Sequence, residues 1–170
     1  MSDHLDILNS GLDQLGDLVG RVGPDDLDKP TPCSEWNVSQ LLDHAIHSVN
    51  GLAVMTRGGK PDFASVPHSQ DPVADYEAAA TALRSAWAEA SDGDPRFHSA
   101  EVATHAWDLA QALGVSSADL DDAVALDGLA FMSASMKPEM RGDSFAPERE
   151  APEGAGPYER LAAFAGRDVS

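Results

Sequence analysis

The chain has 170 residues, of which 29 are acidic and 11 basic, giving a formal net charge of −18 and a pI near 4.3. Such a surface repels phosphate backbones and anionic headgroups, so nucleic acid and membrane surfaces are excluded as partners. With 42% hydrophobic and 24% charged residues, the length suits one domain with a real core, read here as residues 1–170.

From Leu5 to Val22 the apolar positions Leu8, Leu12, Leu15, Val19 and Val22 recur at alternating spacings of four and three, one stripe of an amphipathic helix. The following VGPDDLDKPTPCSEW breaks that period with three prolines and a glycine and reads as a connection. Asn37 with Gln40 three residues on is a capping-box pair, predicting a second helix from Asn37 to about Arg57 with Val38, Leu41, Leu42, Ala45, Val49 and Leu52 on its apolar arc. RGGKPDFASVPHSQDP is the next loop. Good helix formers from Val73 to about Ala90 give a third helix stopped by SDGDP, and a fourth runs from about His98 to Leu113 with Gly114 as its cap. A further helix is expected from Ser117 to about Lys137, stopped at Pro138. After it comes an irregular Gly- and Pro-rich tail with a short helix at Tyr158 to Gly166. No strand pattern or internal repeat is visible. The fold class is all-α, a four-helix bundle with an additional helix and an irregular tail.

One cysteine cannot form an internal disulfide. The N-terminus lacks a basic region followed by an apolar run, and no stretch approaches a membrane-spanning length. A cytoplasmic, reduced protein is expected.

The histidines carry the chemical signal. His4 in the terminus and His68 in a loop are expected to be solvated and without a role. On the second helix, His44 lies at the edge of the apolar arc, whereas His47 shares the polar side with Gln40, Asp43 and Asn50. On the fourth helix, Glu101 and His105 are four apart, on one face, where a carboxylate and an imidazole can reach the same ion. His98 and Asp108 extend that face as spare ligands or supports, while Trp107 points the other way. Taken alone, an E-x-x-x-H pair is also an ordinary polar pair on a helix surface. A histidine from a facing helix adds weight to a metal centre. Cys33 precedes a helix N-terminus but has no base beside it in sequence, so it reads as a packed thiol rather than a nucleophile. Trp36, Trp87 and Trp107 read as packing residues.

The run PTPCSEWNVSQLLDH resembles the t-P-C-x-x-W-x-V-x-x-L-x-x-H signature of the DinB-like superfamily branch containing mycothiol-dependent maleylpyruvate isomerase. EVATHAWDLAQALG resembles the E-x-x-x-H-x-W-D-L-A segment of the same branch, and the tail with its Gly-Arg dipeptide is similar to that of small members. The resemblance implies a DinB-like four-helix bundle holding a divalent metal, zinc in most members, through His44, Glu101 and His105. It also implies mycothiol as cosubstrate and an S-transfer or thiol-assisted isomerisation, with a small-molecule thiol and an electrophile as partners. Only SDGDPRFHSA separates the third helix from Glu101, shorter than is usual in the branch, a change that removes part of a substrate wall. Two imidazoles and a carboxylate suit zinc and leave a position open for water or a thiol. Two other readings fit the same residues: a metal-binding protein without catalysis, and an acidic helical interaction module.

Overall fold

The computed structural model describes residues 2–137, 141 and 146–169, with the side chain of Ser2 excepted. Among the described residues there are six α-helices: α1 Ser2–Arg21, α2 Val38–Thr56, α3 Pro72–Glu89, α4 Arg96–Leu113, α5 Asp122–Ser135 and α6 Pro157–Phe164. Among the described residues the only β feature is an isolated antiparallel bridge between Pro30 and Asn37. The all-α reading holds.

The first four helices form a DinB-like bundle in which α2 packs against α3, and α1 against α3 and α4. Leu8, Leu12, Leu15 and Val19 of α1 are buried, as are all six residues of the α2 arc, because each stripe meets a neighbour's stripe. Asn37 caps α2 as its spacing predicts: the Gln40 N–H donates to Asn37 Oδ1 at 2.9 Å, and the Asn37 N–H donates to Gln40 Oε1 at 3.0 Å. α4 differs from expectation. It is buried almost all round, Trp107 included, because α1, α2, α5 and α6 pack against it. Its many alanines permit that approach. At Gly128 of α5 a Cβ would stand 2.6 Å from the Ala100 Cα, so only glycine lets α5 lie against the α4 backbone.

The fifth helix starts later than the sequence predicts. A separate 3₁₀ turn, Ser117–Asp119, is capped by Ser116, and α5 begins only at Asp122 with Asp121 as its N-cap. Two local capping side chains outcompete one continuous helix. The predicted stop at Pro138 and parts of the irregular tail lie outside the described residues. α6 ends in a Schellman motif: the Gly166 N–H donates to Ala163 O and the Arg167 N–H to Ala162 O, both at 2.9 Å. Gly166 has φ +89°, the left-handed conformation this turn needs, and the reversal aims Arg167 back into the bundle.

His4 is a correction. It belongs to α1 rather than to a frayed end, and its Nδ1 lies 2.7 Å from Oδ1 of the buried Asp127 on α5. The loop histidine His68 is exposed but also has a partner, Asp43 Oδ2 at 2.8 Å.

Candidate metal centre

His44 on α2 and Glu101 and His105 on α4 converge where the two helices face each other. His44 Nε2 is 3.2 Å from His105 Nε2, His105 Nε2 is 3.1 Å from Glu101 Oε1, and His44 Nε2 is 3.7 Å from the same oxygen. Donors around a tetrahedral zinc with bonds of about 2.1 Å stand roughly 3.4 Å apart, so these separations are the edges such an ion requires. The chemistry agrees with the geometry. Two ring nitrogens and a carboxylate oxygen turn lone pairs towards one point, an arrangement that needs a shared proton or a cation between them. The three atoms form the one such cluster found among the described residues.

Each donor is held from behind. Ser48, one turn beyond His44, donates its hydroxyl to Glu101 Oε1 at 2.8 Å. His105 turns Nδ1 towards Asp108 Oδ2 at 3.3 Å, a contact too long or bent to be a closed hydrogen bond but close enough to favour the proton on Nδ1. Asp108 is fully buried and itself receives two hydrogen bonds from Arg167, Nε to Oδ1 at 3.2 Å and Nη2 to Oδ2 at 2.8 Å. Trp36 lies over His44 with ring centroids 4.2 Å apart. Its place is fixed by Thr31, whose single O–H is shared between the carbonyls of Cys33 (3.0 Å) and Trp36 (2.8 Å), closing the PTPCSEW turn above the site.

The electrostatics follow from this crowding. Burial opposes a charged His105, yet the Glu101 and Asp108 carboxylates outweigh it and push its pKa up to about 9. Burial likewise opposes a charged Glu101, and His105 and His44 hold it well below the usual carboxylate range. Asp108 is lowered in the same way, against burial, by His105 and Arg167.

Several sequence expectations change here. Asp108 is the support that its position on the face allowed, but His98 is no spare ligand. It is buried, and its Nδ1 accepts a hydrogen bond from Trp87 Nε1 at 3.0 Å. Cys33 is not packed in the core, and Trp36 packs against the core only at its edge. Both are only partly buried and line the cleft at the site, and burial pushes the Cys33 thiol pKa up rather than down. Ser48 and Arg167 were missed. The spacing of four from His44 could have indicated Ser48, and the Gly-Arg dipeptide of the tail is the only sign of Arg167.

His98 has a measurable consequence. Burial lowers its pKa from 6.5 to about 4, although Glu101 and Asp94 pull the other way. Between those values the unfolded chain binds the extra proton, so stability falls as pH falls from 6.5 towards 4. At 1.36 kcal/mol per pKa unit the loss reaches roughly 3 kcal/mol. His98→Asn, whose side-chain oxygen can still accept from Trp87, should lose correspondingly less over the same window in urea titrations. Equal pH slopes for the two proteins would remove His98 from acid sensitivity.

The donors open on a cleft of about 520 Å³. A family model described as the mycothiol maleylpyruvate isomerase N-terminal domain matches residues 8–112, which include all three donors. The chain belongs to this family. Within it, the chain is similar to an uncharacterised protein found in two strains of Mycobacterium tuberculosis, CDC 1551 / Oshkosh and H37Rv. Each is 33% identical over 174 residues, covering 92% of this chain and 93% of the relative. No solved structure matches. The family match ends at residue 112, before α5, α6 and Arg167. The side chain that anchors Asp108 therefore comes from outside the segment by which the family is recognised.

Proposed function

We propose that this chain is a metal-dependent thiol transferase or thiol-dependent isomerase that uses mycothiol, with zinc bound by His44 Nε2, Glu101 Oε1 and His105 Nε2. The observation that carries this reading is the convergence of three donors, at tetrahedral spacing, beside a cleft rather than inside the core. A divalent ion bound there supplies Lewis acidity, and lowers the pKa of a thiol or water sharing it towards neutrality.

The chain's own residues do the positioning. Asp108, fixed by Arg167, favours the His105 tautomer whose Nε2 lone pair faces the cleft. Ser48 sets the Glu101 carboxylate, and the Trp36 ring limits rotation of His44 and shields that side from water. Cys33 lines the cleft with a raised thiol pKa, which suits a wall residue better than a nucleophile. No helix among the described residues is long and apolar enough to cross a membrane, compatible with a cytoplasmic enzyme meeting a soluble thiol.

Cobalt substitution tests the reading, since cobalt accepts the same donors and reports on them in the visible. Adding a low-molecular-weight thiol to the cobalt protein should shift that spectrum and add a sulfur-to-metal charge-transfer band in the near ultraviolet. Mycothiol should outcompete 2-mercaptoethanol, having contacts beyond sulfur. Normal cobalt binding with no response to either thiol would reject the transferase and favour a non-catalytic metal protein.

A further inference from the structure

The cleft has an apolar wall made by Trp36, Leu52, Met55, Phe63, Val66 and Phe97. Three of these, Met55, Phe63 and Val66, are 40%, 48% and 42% exposed. Large apolar side chains left in water around one opening face a ligand rather than a core.

This rim is built rather than loose. The loop between α2 and α3 is tied back to α2 at three points. His47 Nε2 meets the backbone oxygen of Asp62, His68 Nδ1 pairs with Asp43 Oδ2 at 2.8 Å, and the Ser69 N–H donates to Asp43 Oδ1 at 2.8 Å. Between these ties the Phe63 ring sits on the α2 backbone at Gly51, where an added Cβ would overlap Phe63 Cε1. The His47 ring meets Phe63 edge-on at 6.3 Å.

Charge narrows the ligand further. All 11 lysines and arginines of the chain lie among the described residues. Of these only Arg167 lines the cleft, and each of its three guanidinium nitrogens already donates, Nε and Nη2 to Asp108 and Nη1 to the carbonyl of Ala165. Glu35 and Glu101 line it as well. In the metal-free site Glu101 is paired with His105, so an anionic ligand would meet the exposed Glu35 carboxylate and neither an Arg167 nor a His105 charge without a carboxylate partner, inside a protein of net charge −18.

We infer that this cleft seats an uncharged, predominantly apolar small molecule against Phe63 and Val66 as the electrophilic substrate, and that it discriminates against carboxylated ones. Calling the ligand an electrophile rests on the thiol-transfer reading; the seat itself does not.

The experiment measures binding, by tryptophan fluorescence, of 2-acetylnaphthalene and of 2-naphthoate, an uncharged and a carboxylated probe of one ring system. Protein is used metal-loaded and after chelator treatment, because a carboxylate can ligate an ion directly. The ketone should bind both forms, and in the metal-free form at least ten times more tightly than the carboxylate. Gly51→Ala should weaken the ketone at least fivefold by displacing Phe63, with thermal stability kept or raised, since alanine favours a helix interior over glycine. Phe63→Ser should weaken it by a similar factor. The inference is overturned if the carboxylate binds the metal-free protein as tightly as the ketone, if the ketone does not bind, or if both variants leave its affinity unchanged. No thiol is present, so failure here leaves the cobalt experiment standing, and failure there leaves this one standing.

Discussion

His105→Ala is expected to purify without a stoichiometric divalent ion, and the unaltered protein with one per chain. His105 Nε2 is within 3.2 Å of both other donors, so its loss leaves one imidazole and one carboxylate, too few to retain zinc against a chelating buffer. Elemental analysis after dialysis at neutral pH makes the measurement, and full zinc occupancy in the variant would refute the assignment. The same site predicts a pH dependence. In the metal-free protein Glu101 and Asp108, working against burial, hold the His105 pKa up at about 9, so binding an ion at neutral pH must expel that proton. Affinity should therefore rise with pH until about 9 and fall on acidification, as protons compete for the donors. Calorimetry in buffers of differing ionisation enthalpy should register the released proton. Binding with no proton release at neutral pH would show that His105 is already neutral there.

Asp108→Asn should be costly in two separate ways. Arg167 reaches both Asp108 oxygens, and Oδ2 also faces His105 Nδ1. Whichever way the amide is turned, its NH₂ confronts an N–H of Arg167, and the guanidinium is left buried without its counter-charge. Breaking a buried pair in this manner costs about 3–5 kcal/mol. Loss of the support behind a metal-binding histidine also weakens an ion by about 10–100-fold. The two effects separate in the double variant Asp108→Asn with Arg167→Met. Removing the stranded cation should recover most of the stability, measured by denaturant unfolding. The metal affinity should stay low, because His105 still lacks the carboxylate that favours its tautomer. If the double variant bound metal as the unaltered protein does, Asp108 would be a purely structural partner of Arg167.

Much of the site was legible because it is written along helices. A spacing of four puts Glu101 and His105 on one face whatever surrounds them, and the position of His44 at the edge of an apolar arc is where a side chain can reach a cleft beside the core. The family signature added which histidine to choose. Where the face alone was used, it misled for His98, since a helix wheel cannot tell a side chain aimed at the cleft from one taken up by Trp87 of the neighbouring helix.

By itself the sequence indicated the helices of the described residues, the capping box at Asn37, the apolar stripes of α1 and α2 and the three candidate donors. All of these rest on local periodicity, on capping within a few residues or on a contiguous motif. Only the tertiary structure decided what stands behind the donors and in front of them. Arg167 reaches Asp108 across 59 positions of chain because the Schellman turn at Gly166 returns the tail to α4. Phe63 faces the cleft because its loop is tied to α2 and Gly51 leaves room for the ring. Helical period fixes which residues share a face. Contacts between distant segments depend instead on where each chain reversal points and how closely two backbones can approach, and neither leaves a repeating mark in the sequence.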